Sequence, residues 1–210
     1  AEAIMMTNHA KEIGADSCLI VSPYYNKPIQ HGIAAHFKQV ASYTDLPIIL
    51  YNVPGRTGSN MSVETTLELA EIANVVAVKE ASGNMEQIMD IIRLRKPGFG
   101  VLSGDDNLTM PLIAAGADGV ISVVANAFPE RFSQMVHASM EGQLDRAKAA
   151  HYDLFSVTKM FFEEGNPGGV KVALAARGLM QETMRLPLYP VSEGLRKRIQ
   201  AETTRLLAGL

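Results

Sequence analysis

Val75-Val-Ala-Val-Lys79 is apolar at four successive positions and closes on a cation. A strand with one wet face alternates apolar and polar residues. A strand of a parallel sheet covered on both faces is apolar throughout. Four more short apolar runs accompany it, at Ser17–Ser22, Pro47–Tyr51, Gly100–Ser103 and Gly119–Val123. Any one of them could be a piece of buried helix. Five in series with helix signals between them predict alternating strand and helix, and so a parallel α/β architecture.

The helix signals are chemical ones. Asn84 followed by Gln87 reads as a capping box, opening a helix with Ile88, Ile91 and Ile92 on one face. Ser62 reads as the cap of the preceding helix, whose apolar stripe is Val63, Leu67 and Ala70. Gly14, Gly98 and Gly116 fall where helices should stop. From about Gln143 the pattern becomes helical alone, with Leu144, Ala147, Ala150, Leu154, Val157 and Phe161 at helical spacing. Gly165-Asn-Pro-Gly-Gly169 reads as a break, and Leu195, Ile199 and Leu206 mark a last helix. Ala1–Thr7 reads as the inside of a helix with no lead-in, so the sequence is expected to begin mid-fold.

Composition narrows the function classes. In 210 residues, 47% hydrophobic and 20% charged, the chain has enough apolar content for a sizeable core. A formal net charge of -3 supplies no basic field for nucleic acid, and no polybasic run suggests a membrane surface. The single cysteine, Cys18, lies in an apolar run and reads as a buried small hydrophobe. No apolar stretch approaches the ~18 residues of a membrane span. A cytoplasmic protein without nucleic-acid or membrane partners is expected. The five histidines share no metal-ligand spacing. Asp105-Asp106 reads as a solvated turn.

In parallel α/β folds functional groups gather where strands end. The strand ends here read Pro23-Tyr-Tyr-Asn26, Tyr51-Asn-Val-Pro-Gly-Arg56, Lys79-Glu-Ala-Ser-Gly83, Ser103-Gly-Asp-Asp106 and Val123-Val-Ala-Asn126. Lys79 leaves an apolar run, where desolvation lowers a lysine pKa and exposes the lone pair that attacks a ketone. Taken alone, the run better suits a surface lysine at a strand terminus. Tyr51, ending the neighbouring strand, could shuttle protons to that amine or be a boundary aromatic. Arg56, in a Pro-Gly-Arg-Thr-Gly turn, could present its fork to a carboxylate or simply lie in water. Lys171 is the rival amine, but it belongs to the helical tail.

In this order, Ser22-Pro-Tyr-Tyr-Asn26, Leu50-Tyr-Asn-Val-Pro-Gly-Arg-Thr-Gly58, Val78-Lys-Glu-Ala-Ser-Gly83, Leu102-Ser-Gly-Asp-Asp106 and Gly119-Val-Ile-Ser122 resemble the dihydrodipicolinate synthase family of the N-acetylneuraminate lyase superfamily. The resemblance implies a (β/α)8 TIM barrel, incomplete here with five of eight strands. Residues 1–142 would form the partial barrel, from the third helix through the eighth β/α unit, and residues 143–210 a C-terminal helical extension. The first three strands, with a Gly-Thr-Thr-Gly-Glu segment that binds the pyruvate carboxylate, would lie outside this sequence.

The activity it implies is condensation of pyruvate, held as a lysine Schiff base, with L-aspartate 4-semialdehyde to give 4-hydroxy-tetrahydrodipicolinate, in lysine and diaminopimelate biosynthesis. Another 2-keto acid aldolase or lyase of the superfamily, and an inactive truncated chain, are the alternative readings. By the resemblance Lys79 is the Schiff-base lysine and Tyr51 the proton-relay tyrosine. Tyr25 reaches across a dimer interface, and Arg56 binds the aldehyde substrate's carboxylate. Gly104 and Ile121 lie near the pyruvate, and Glu2 and Tyr24 belong to an L-lysine feedback site. A homotetramer built as a dimer of dimers, with no metal or organic cofactor, completes the expectation.

Overall fold

The structure, a computed structural model, describes residues 1–208. Its elements run α1 (Glu2–Glu12), β1 (Cys18–Val21), α2 (Gln30–Ala41), β2 (Ile48–Asn52), α3 (Pro54–Thr57), α4 (Val63–Ala70), β3 (Val75–Glu80), α5 (Met85–Leu94) and β4 (Gly100–Ser103). A 3-10 turn at Asp106–Leu108 follows, then α6 (Thr109–Ala114), β5 (Gly119–Val120), α7 (Val124–Ala127), α8 (Pro129–Met140), α9 (Leu144–Glu163), α10 (Gly168–Ala176) and α11 (Glu193–Ala208). The five strands form one sheet in the order β1-β2-β3-β4-β5, every pair parallel. Sequential parallel neighbours joined by helices are the arrangement of five consecutive strands of a (β/α)8 barrel.

The chain divides into two compact units, Ala1–Ile121 and Ser122–Leu210. This division lies earlier than the 142/143 boundary expected from sequence. Helices α7 and α8 pack with α9, α10 and α11, so they belong to the second compact unit.

In the first unit Ile48 and Leu50 of β2, Val78 of β3 and Val101 of β4 pack against Phe37 and Val40 of α2, Leu69 of α4, and Ile88 and Ile91 of α5. The expected coverage on both faces is not seen on β2, whereas on β3 Ala77 and Val78 are buried at successive positions. On β2 burial alternates, with Ile48, Leu50 and Asn52 buried and Ile49 and Tyr51 half-buried, because the helices cover one face. Cys18 is likewise half-buried, since β1 is an edge of the described sheet.

Local chemistry explains most boundaries. Ser62 accepts a hydrogen bond from the Thr65 amide at 3.2 Å and caps α4. The buried face of that helix holds Thr65, Thr66, Leu69 and Ala70, so Ala70 of the predicted stripe is buried while Leu67 is only half-buried. Asn84 caps α5 through the Gln87 amide at 3.1 Å. The reciprocal half of the expected capping box is not made, because the Gln87 side chain reaches into the sheet instead. β5 is shorter than predicted. It ends at Val120, and Val123 already has the helical φ/ψ of the residue before α7.

At the N-terminal ends of β4 and β5, Asp118 accepts from the Val101 amide at 2.7 Å and pairs with the Arg95 guanidinium. Arg95 also donates to Phe99 O and Gly116 O, both at 3.0 Å. Burial works to raise the Asp118 carboxyl, but Arg95 and the Val101 amide prevail and hold it below the aspartate value of 3.8. A carboxylate with a lowered folded pKa stabilises above its unfolded pKa, and that contribution is lost as pH falls through the folded value. Asp118→Asn is therefore expected to flatten the acid loss of stability, measured as the urea midpoint between about pH 5 and about pH 3. An unchanged slope would show that the pair contributes nothing there.

In the second unit Ala147, Leu154, Val157 and Phe161 of α9 are buried, as are Leu195, Ile199 and Leu206 of α11. The predicted break spans less than expected. Gly168 and Gly169 are the first residues of α10, and both are buried. Arg131 of α8 pairs with Asp153 of α9 and donates to Leu206 O at 2.7 Å. Arg205 of α11 reaches the same Asp153 carboxylate at 2.7 Å.

Candidate active site

Registration of β2 with β3 makes Tyr51 and Lys79 direct Cα partners, and β3 with β4 adds Leu102 to the row. In a parallel sheet such partners project to the same face. The Lys79 Nζ lies 4.3 Å from the centroid of the Tyr51 ring. The contact is with the ring face rather than the hydroxyl, and it favours the ammonium form. The Lys79 pKa is nonetheless lowered below 10.5, chiefly by desolvation; Asp106 raises it and Arg56 lowers it further. Tyr51 is shifted upward by burial, with Arg56 opposing. A half-buried amine of lowered pKa beside a phenol can add to a carbonyl and exchange protons during dehydration.

Arg56 belongs to α3, a single turn with Pro54 at its start and Gly58 after its end. Proline there needs no amide hydrogen, and Gly58 takes φ of 73°, where a side chain would be strained. The stem of Lys27 crosses Gly58 so closely that a Cβ would lie 2.7 Å from its Cε. Thr57 closes the turn by donating to Ser59 O at 2.8 Å. Arg56 itself is exposed, yet near enough to bias both Lys79 and Tyr51.

Gly104 follows β4, its amide donating to Glu80 O at 2.7 Å. A Cβ on Gly104 would meet Lys79 Cε at 2.9 Å, so this glycine lies directly against the amine's stem. Ile121 continues from β5, its amide donating to Ser103 O at 3.0 Å. Lys79, Tyr51, Arg56 and Gly104 thus converge. Tyr25 does not join them within one chain: it is 92% exposed, with φ of 67°. Tyr24 and Glu2 are also exposed, on the segment after β1 and in the first turn of α1.

Two features were not anticipated. Asp106 is buried rather than solvated, and its charge raises the Lys79 pKa. Asp105 turns inward on its own loop, capping the Asn107 amide at 3.1 Å. Asn52, Glu80 and Ser103, each one residue beyond the row of Tyr51, Lys79 and Leu102, are fully buried. Period-two reading of the strand ends could have found this layer. Among the described residues no group of three or more His, Cys, Asp or Glu side chains could hold a metal ion. No helix of the described residues is long and apolar enough to cross a membrane.

The profile of the Dihydrodipicolinate synthetase family matches residues 1–206. The chain belongs to that family. Among curated family members, the 4-hydroxy-tetrahydrodipicolinate synthase of Phocaeicola vulgatus is 51% identical over 178 residues, covering 84% of this chain and 60% of that protein. The crystal structure of dihydrodipicolinate synthase from Aquifex aeolicus superposes with a TM-score of 0.95 at 44% identity, over 98% of this chain and 71% of that one. A second dihydrodipicolinate synthase, the chloride-inhibited enzyme of Acinetobacter baumannii complexed with pyruvate, gives 0.93 at 40% identity, over 97% and 70% of the two chains. The chain thus spans about 60% of the length of the first curated synthase it matches.

Proposed function

We propose that this chain carries the Schiff-base lysine of a synthase that condenses pyruvate with L-aspartate 4-semialdehyde. The observation that carries the reading is the Tyr51–Lys79 pair, a desolvated amine 4.3 Å from a phenol ring. The Lys79 nitrogen adds to the pyruvate ketone carbon, and loss of water leaves an iminium. Loss of a methyl proton gives an enamine, whose carbon attacks the aldehyde. The substrate's own amine then closes the ring and releases Lys79, giving 4-hydroxy-tetrahydrodipicolinate. Membership of the family, and the pyruvate complex of the Acinetobacter relative, support the choice of keto acid.

In this reading Tyr51 relays protons, and Arg56 pairs with the aldehyde substrate's carboxylate through a charge-assisted fork. Gly104 and Ile121 border the pyruvate. Tyr25, exposed in one chain, completes the relay of a neighbouring subunit in a homotetramer. Glu2 and Tyr24 form part of an L-lysine feedback site. Lysine and diaminopimelate biosynthesis in the cytoplasm, without metal or organic cofactor, is the setting proposed.

Borohydride reduction in the presence of pyruvate tests the proposal. Peptide mass spectrometry is expected to find the reduced adduct on Lys79; an adduct on Lys171 instead, or none, overturns the assignment. Offering aspartate semialdehyde against sialic acid and keto-sugar acids then separates a synthase from a lyase using the same imine.

Gly104→Ala is expected to slow adduct formation without altering any charge. The new methyl would lie 2.8 Å from Ala81 Cβ, 2.9 Å from Lys79 Cε and 3.1 Å from Glu80 O. The backbone oxygen cannot rotate away, so the lysine stem must move. Displacing a reacting group by about 1 Å costs on the order of tenfold to a hundredfold in rate. Adduct formation at the wild-type rate, in a variant with unchanged circular dichroism, would show that the stem has room.

A further inference from the structure

Side chains alternate along a strand, so the residues following Tyr51 and Lys79 point to the opposite, helix-covered face. Asn52 and Glu80 are Cα partners there, and Glu80 is in turn the partner of Ser103. All three are sealed from water, at 0%, 0% and 1% exposure. A buried carboxylate is tolerated when its lone pairs are filled. Glu80 Oε1 accepts from Asn52 Nδ2 at 2.7 Å and Gln87 Nε2 at 3.1 Å. Its Oε2 accepts from Ser82 Oγ at 2.7 Å and the Ser82 amide at 3.2 Å.

The same donors reach the return of the Arg56 turn. Asn52 Nδ2 donates to Asn60 Oδ1 at 2.8 Å, and Asn52 Oδ1 accepts from the Met61 amide at 3.0 Å. Gln87 Nε2 donates to Met61 O at 3.3 Å, and Asn60 Nδ2 donates to Gln87 Oε1 at 2.6 Å. Residues 53–59, which carry Arg56, therefore leave from Asn52 and come back to two of its partners.

Sheet register gives this network a task. The β2–β3 pairing is irregular between Ile48 and Ile49, so alignment at the start of the strands does not fix alignment at their ends. A one-residue slip would send Lys79 to the helix side. We infer that Glu80 is a positioning residue: its carboxylate pins the ends of β2 and β3 to the foot of the Arg56 turn, and so keeps the Lys79 amine beside Tyr51 and Arg56. This deepens the proposed function and rests on it only for the identity of the ligand.

The test is competitive acetylation of Lys79 across pH, read by mass spectrometry, which needs no ligand. It compares the wild-type chain with Glu80→Gln, Asn52→Ala and Gln87→Ala. Gln87 is only half-buried, so its variant keeps the test open where the buried ones fail to fold. Each variant is expected to raise the Lys79 midpoint by about one unit, as the strand ends slacken and water reaches the amine. A purely electrostatic role predicts otherwise: Glu80→Gln would lower the midpoint, and the neutral exchanges would leave it in place. A fall in Glu80→Gln, or an unmoved midpoint in the neutral variants that fold, overturns the inference. Pyruvate trapping run in parallel separates the two ideas. An unlabelled wild-type Lys79 would count against the aldolase reading, while the titration still decides the role of Glu80.

Discussion

Lys79→Met is expected to abolish the borohydride-trapped pyruvate adduct and to lower pyruvate-dependent condensation by at least about a thousandfold. Methionine keeps an unbranched stem in the same half-buried setting, so the loss would report the missing nitrogen rather than a lost fold. In the wild-type chain only the unprotonated amine attacks, and desolvation lowers its pKa below 10.5. Adduct formation should therefore rise with pH and reach half its maximum below that value. A Lys79→Met chain that still trapped pyruvate, or a wild-type midpoint at or above the ordinary lysine value, would defeat the assignment.

Gly169→Ala is expected to give the largest loss of stability from a single methyl. A Cβ at Gly169 would lie 2.6 Å from Phe161 Cα and 3.1 Å from Met160 O, both backbone atoms. No rotamer relieves such a clash, so α9 and α10 must separate, disturbing the core that holds Phe161 and its stacking partner Phe128. Overpacking of this kind costs about 1–3 kcal/mol, and backbone-to-backbone crowding belongs at the upper end or beyond. Thermal unfolding measures it; a melting temperature within a degree or so of wild type would mean the helices part without cost.

These two positions show what the sequence disclosed and what it did not. Val75–Val78 and Ile48–Leu50 announced parallel strands because apolar continuity is a local property, and β3 and β4 begin where the runs begin. Lys79, Tyr51 and Arg56 were legible as strand-end chemistry, and the structure brings them together. Gly169 was misread because a helix start and a loop share the same glycine-rich text, and only the neighbouring helix distinguishes them. Gln87 was misread for a related reason. Its spacing from Asn84 satisfied the capping box, but a buried carboxylate 3.1 Å away competes for its amide. Glu80 escaped notice because burial of a charge depends on donors from Asn52 and Gln87, distant in sequence. The half-covered face of β2 likewise depends on which elements surround the sheet.

The Arg95–Asp118 rivet grips the strands at the pole opposite to Lys79. The sheet is thus fastened at both ends, by Arg95 and Asp118 beside β4 and β5 and by the Glu80 network beside the amine, and the two sets share no side chain. Selection can therefore exchange individual groups around the amine for a different carbonyl partner while the far clamp on β4 and β5 stays untouched.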